Sequence, residues 1–281
     1  MIVDFHTHVF PPAVIEARER YLREDPTFRA LYESPKANLA TAEDLLRTMD
    51  DGGIDVSVAL GFGWRDSETC RLHNDHLIEA AATSNGRIVP FCTLPLAESP
   101  DAVEVEMRRC AAAGVRGFGE LRPENLGFDL AGEAGRHLAH VAQELGNVLL
   151  FHVSEPVGHA YAGKQGLNVG AFYRFATAQP AVRVVGAHWG GGLPFYASMP
   201  EVRGAFDAGV YVDTAASSLL YDGGVYERVT GLIGAKRVLF GSDYPLLGQK
   251  RSRQRIEDSG LDEASKALIL GGNAAKLLGL A

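Results

Sequence analysis

Short runs of apolar, β-branched residues recur along this chain, separated by longer segments whose apolar positions lie three and four apart. The first pattern is that of strands and the second that of helices. Strands are expected over residues 2–8, 55–60, 88–94, 115–121, 148–153, 182–188, 210–214 and 238–243, and helices over 42–51, 67–84, 101–113, 132–145, 171–179 and 225–233. Most of the helical segments stop at a nearby Gly or Pro, as helix ends require. Eight strands with helices between them predict an α/β fold of the TIM-barrel type, (β/α)8, in one domain over residues 1–281. That length suits a fold that takes about 250 residues. The alternative is an open doubly wound sheet, but no glycine-rich phosphate-binding turn follows the first strand. Residues 10–40 and 154–168 form longer connections than usual, and in a barrel both would lie on the catalytic face.

Composition narrows the function classes. With 46% hydrophobic residues the chain can bury a large core, and a formal net charge of −8 argues against a nucleic-acid footprint or an anionic membrane surface. A small-molecule substrate is expected, with self-association left open. No window holds the ~20 apolar residues of a membrane helix, and Met1 runs into the first strand without a leader pattern, so a cytoplasmic location is expected. The three cysteines, Cys70, Cys92 and Cys110, have no CxxC spacing and read as ordinary buried thiols in a reducing compartment.

The polar residues at the strand ends carry the chemistry. His6 and His8 are two apart in the first strand, so both rings point to one face and can reach one ion. His152 closes the fifth strand, His188 the sixth and Asp243 the eighth, and Glu120 lies near the end of the fourth. In a barrel, active sites occupy the C-terminal ends of the strands. Six candidate ligands, His6, His8, Glu120, His152, His188 and Asp243, therefore converge on one rim. The competing roles are structural: Asp243 as a turn residue, and Glu120 as an ion-pair partner of Arg122 or Arg116. His73, His76, His137 and His140 fall within helices and are expected away from the rim, whereas His159, Tyr161 and Lys164 of the second long connection remain open as substrate contacts.

On these residues the chain resembles the amidohydrolase superfamily, in its amidohydrolase 2 branch, which includes aminocarboxymuconate-semialdehyde decarboxylase and related hydrolases. The resemblance runs over essentially the whole chain. It rests on Asp4-Phe5-His6-Thr7-His8, the strand-end His152, His188-Trp189-Gly190-Gly191-Gly192-Leu193-Pro194-Phe195, Gly241-Ser242-Asp243-Tyr244-Pro245 and Gly272-Asn273-Ala274-Ala275-Lys276-Leu277-Leu278. It implies that His6, His8, His152 and Asp243 bind a divalent metal, zinc most often and manganese as the alternative. His188 is then a further ligand or a catalytic histidine, and Asp243 both ligand and general base for a metal-activated water. The segment around Glu120 is similar to the glutamate-bearing strand of the superfamily's metal-dependent deoxyribonucleases, which implies a second ion beside the one expected.

Reaction and substrate are read from smaller differences. Decarboxylases of the branch usually carry an acid in a His-x-Gly-Glu pattern after the sixth strand, where this chain has Gly191. With Glu120, that departure favours hydrolysis of a small ester, lactone or amide. A non-oxidative decarboxylase of a small unsaturated or aromatic acid is the alternative, followed by a metal-free lactonase and a non-catalytic metal-binding member. Arg65 and Arg122 are expected to clamp a carboxylate or phosphate, and Trp189 and Tyr244 to shape the pocket.

Overall fold

A computed structural model describes residues 1–280. Eight parallel strands form one sheet in chain order: β1 (Val3–His8), β2 (Val56–Leu60), β3 (Ile88–Cys92), β4 (Gly117–Leu121), β5 (Val148–Phe151), β6 (Arg183–Gly186), β7 (Tyr211–Asp213) and β8 (Val238–Leu239). The sheet closes on itself, because Phe5 N–H donates to Phe240 O at 2.7 Å and Asp243 N–H to His6 O at 2.9 Å. The longer helices follow the strands in turn: α1 (Ala42–Gly52), α2 (Ser67–Thr83), α3 (Pro100–Ala112), α4 (Glu133–Leu145), α5 (Val169–Ala178), α6 (Pro200–Ala208), α7 (Val225–Ile233) and α8 (Gln249–Glu257). This is the expected (β/α)8 barrel.

The two faces of the strands carry different cores. Ala59, Ile88, Leu149, Phe151 and Val184 face outward and bury the apolar stripes of the helices. Their neighbours Val58, Leu60, Val89, Phe91, Val148, Leu150 and Val185 point the other way and fill the interior with Val3 and Phe5, as the two-residue period of a strand dictates. Ala274, Leu277 and Leu278 of the last helix, Asn273–Leu278, complete this inner cluster. Gly117 is required there: a Cβ would lie 2.4 Å from the Phe91 ring. Cys70, Cys92 and Cys110 are free and buried.

Several element ends differ from expectation. The eighth ladder stops at Leu239 and the sixth at Gly186, because the chain turns into positive φ at Asp243 (69°) and at His188 (57°). The fifth strand also stops early, at Phe151; Val153–Ser154 leaves the barrel to pair with Leu167–Asn168 in a separate parallel ribbon. The first long connection is not a plain loop. It folds into short helices Pro12–Glu16, Arg18–Glu24 and Pro26–Tyr32; the first and last are started by a proline that already has helical φ, and the last is also capped by Asp25, which accepts from Phe28 N–H at 2.8 Å. They enclose an aromatic cluster of Phe10, Tyr21, Phe28, Phe62 and Trp64. No helix of the described residues is long and apolar enough to cross a membrane.

Candidate metal centre

His6 and His8 project from the end of β1 and meet: their Nε2 atoms are 3.1 Å apart. Two ring nitrogens at that distance cannot both carry hydrogen. The arrangement is settled for His6 by Asp213, whose Oδ2 lies 2.8 Å from His6 Nδ1 and accepts its hydrogen, so that Nε2 is the nitrogen facing His8. Asp243 brings Oδ1 to 3.6 Å from both Nε2 atoms. His6, His8 and Asp243 therefore form one group of donors near enough to hold an ion, and His6, Glu120 and His188 form a second.

Glu120, at the end of β4, joins the remaining histidines. Its Oε1 lies 2.8 Å from His152 Nδ1 and 3.0 Å from His188 Nε2, and its Oε2 accepts from Arg122 Nη2 at 3.2 Å. His152 is thus held beside the two donor groups, with its Nε2 3.1 Å from Ser154 Oγ. Arg122 is the ion-pair partner of Glu120, as one reading of the sequence had it, while Arg116 reaches instead to the backbone of Leu278. His188 occupies a left-handed turn, its N–H donating to Asp213 Oδ1 at 2.9 Å.

Formal charges show what this rim lacks. The buried carboxylates of Glu120, Asp213 and Asp243 face the one guanidinium of Arg122, leaving −2 with neutral rings. Burial works against charge on His6, but Asp213, Asp243 and Glu120 outweigh it and push the ring up to about 10. Burial and the charge of His6 take neighbouring His8 down to about 3. Burial and Arg122 lower His152 to about 4. For Glu120, burial is overcome by Arg122 and His152, which hold it well below the usual carboxylate range. A proton on His6 is the rim's own counter-charge, and a divalent cation fits the donor set and the deficit better.

Above this floor opens a cavity of about 420 Å³ with mostly apolar walls, among them Tyr32, Phe62, Leu219 and Leu246. Arg122, His159 and Tyr161 also line it. Three expected substrate contacts do not. Trp189 is fully buried, its Nε1 donating to Ser217 Oγ at 2.8 Å and its ring against Tyr226. Tyr244 points away from the cavity, although Asp243 and Pro245 on either side line it. Arg65 lines a neighbouring cleft and donates to Asn125 O at 3.3 Å. Lys164 binds the carbonyls of Val157 and His159, bracing its own loop. His73 is buried apart from the rim, between Trp64 Nε1 and Val9 O. Asp213 was missed in the sequence, although it closes the seventh strand as the other site residues close theirs.

Comparison with known proteins changes the reading of the reaction. The chain is 23% identical to 2-amino-3-carboxymuconate-6-semialdehyde decarboxylase of Dictyostelium discoideum, covering 99% of this chain and 91% of that protein. It is 25% identical to gamma-resorcylate decarboxylase of a Polaromonas species, over 84% and 86% of the two chains. Its fold matches the crystal structure of a Polaromonas dihydroxybenzoic acid decarboxylase with bound manganese and the inhibitor 2-nitroresorcinol, at a TM-score of 0.76, 20% identity and coverage of 99% and 97%. Both relatives are decarboxylases, which overturns the expectation of hydrolysis. Gly191 did not bear on reaction type: at φ 59°, a Cβ there would lie 2.7 Å from Ser154 O, so backbone packing already excludes a side chain. Glu120, the other ground for hydrolysis, is committed to Arg122, His152 and His188. Residues 3–280 match the family described as Amidohydrolase, and the chain belongs to that family.

Proposed function

We propose that this protein is an enzyme of one barrel domain, a divalent-metal-dependent, non-oxidative decarboxylase of a small unsaturated or aromatic carboxylic acid. The observation that carries the reading is the join of a rim with a formal charge of −2 to an apolar-walled cavity, in a chain whose two reported relatives are both decarboxylases. Loss of CO2 turns a charged carboxylate into a neutral gas, and an apolar-walled cavity favours that change.

His6, His8, His152 and Asp243 are the residues proposed to hold the ion, zinc or manganese; Glu120 with His6 and His188 would hold a second. The bound ion would supply a Lewis-acid contact that orients the substrate's oxygens. The rest is the work of the chain. Arg122 offers a buried cation at the cavity wall, and is proposed to pair with the substrate's acid group. In the reaction the bond between carbon and carboxylate breaks, its electron pair stays on the substrate carbon, and that carbon takes one proton. His188 and Asp243 are proposed to deliver it: His188 Nδ1 is 4.0 Å from Asp243 Oδ2, with Glu120 at the other side of the ring.

The test is a panel of aromatic and conjugated carboxylic acids offered to protein loaded with Zn²⁺ or Mn²⁺ in D2O. Release of CO2 with one deuterium placed at the vacated carbon is expected. Turnover of no acid in the panel by fully loaded protein would overturn the reading. Metal analysis at saturation, one ion or two, decides the role of Glu120.

A further inference from the structure

We propose that Asp213 is the positioning residue of the rim: one of its oxygens decides which nitrogen of His6 faces the centre, and the other holds the turn that presents His188. The proposal rests on the reading that the rim takes a divalent cation, and adds to it the residue that prepares two of the histidines.

Asp213 is fully buried and does not line the cavity, so it is not a group that touches substrate. Its bonding is complete without one. Oδ2 accepts from His6 Nδ1 at 2.8 Å, and Oδ1 accepts from the backbone N–H of His188 at 2.9 Å and of Ala215 at 3.0 Å. A carboxylate can only accept. Opposite it, His6 must keep a hydrogen on Nδ1, and the nitrogen left to offer a lone pair to a cation is Nε2, the one that faces His8 and Asp243. His8 shows what an unbraced ring looks like, since its Nδ1 is buried without a partner. Of the two histidines in the motif, one is set from behind and the other is set only from the front.

The second oxygen acts on backbone. His188 and Trp189 have φ of 57° and 59°, and Gly190, Gly191 and Gly192 continue in the same left-handed region. Two non-glycine residues at the head of such a run are strained. The bond from His188 N–H to Asp213 ties the first of them to β7, and the Ala215 N–H bond ties the same carboxylate to its own turn. Asp213 thereby couples the metal-facing edge of His6 to the placement of His188, two elements away.

An amide at this position separates the two tasks. Asparagine can still accept from both backbone N–H groups through Oδ1, but it turns an NH2 toward His6 Nδ1. That nitrogen must then be the acceptor, its hydrogen moves to Nε2, and His6 faces the centre with a blocked edge. The experiment uses Asp213→Asn and Asp213→Ala in the full chain, with Zn²⁺ affinity read by competition against a chelating dye and apo melting temperature read alongside. The Asn variant is expected to bind Zn²⁺ about 10- to 100-fold more weakly, in the range seen for such outer partners, while melting within a few degrees of wild type. Wild-type affinity in the Asn variant would overturn the proposal. The Ala variant, which also frees the two N–H groups, is expected to melt well below the Asn variant; equal melting would overturn the part assigned to His188. Nitrogen NMR of the Zn²⁺-loaded wild type needs no variant to fold, and is expected to show the His6 hydrogen on Nδ1. A bare Nδ1 would overturn the proposal. Wild-type protein that takes up no Zn²⁺ at all would remove the metal reading, and this one with it.

Discussion

At the N-terminal end of the barrel, Val3, Phe5, Val58, Val89, Phe91, Val148, Leu150 and Val185 interlock in one wholly apolar cluster, with Phe5 and Phe91 edge to face at 5.5 Å. At the C-terminal end, eight ionisable groups share a buried rim, with two imidazole nitrogens 3.1 Å apart. The strands run through both ends, yet the lower layer gains stability from burial while the upper one forgoes it, assembling like charges and left-handed backbone at His188 and Asp243. The difference teaches that the fold of this chain is held from below and its chemistry is hung from above. Stability and activity should therefore separate under mutation.

The largest separation is expected at Asp243. Asp243→Asn should lower turnover by about 10³-fold or more, on the scale of losing an acid–base and ligand group. The apo protein should melt at or above the wild-type temperature, because one of several like charges is gone. A clear loss of thermal stability would break the comparison. The converse is Phe91→Ala, in the apolar layer, which should cost about 3–5 kcal/mol by urea unfolding, the usual range for emptying a packed aromatic site. Turnover per folded molecule should stay within a few-fold, and a tenfold fall would show that the two ends are not independent.

The smallest effect sharpens the comparison by asking whether acid sensitivity belongs only to the rim. His73, buried beneath the first connection, accepts from Trp64 Nε1 at 2.9 Å and lies 2.8 Å from Val9 O, and burial lowers it to about 3. A histidine depressed in the folded state takes its proton more readily when unfolded. Its stabilisation is complete above pH 6.5 and is lost as pH falls from there toward 3. Over that window, unfolding free energy should fall less steeply in His73→Leu than in wild type, by about 1 kcal/mol per pH unit. Parallel slopes would confine the acid response to the rim.

The strands and the rim were legible because both signals are local. A short β-branched run shows its period within five residues, and imidazoles at strand ends stand out against an apolar background. The short helices of residues 12–32 were not legible, since five to seven residues hold too little of a 3.6-residue period to register. Trp189 and Tyr244 were misplaced by proximity in sequence: each adjoins a residue that faces the centre, but the left-handed backbone at His188, Trp189 and Asp243 turns the neighbouring side chain away from it. Asp213 was passed over because its strand is short and its partner, His6, lies at the far end of the chain. Gly191 misled for a deeper reason. What it reports is a left-handed turn lying against Ser154, a property of conformation that the residue type alone does not reveal.

The seam between the first and last strands has a consequence in time. His6 and His8 are made before every later strand of the ring, and Asp243 arrives only after β8. A site drawn from both sides of that seam cannot exist on a partly made chain, however well its earlier strands have formed. Chains cut short before β8 can collapse and can even resemble the barrel by their helices, but they are barred from assembling the rim. Loading of the proposed centre would therefore record that the ring has closed, and a pool of unloaded protein would contain every chain that failed to finish.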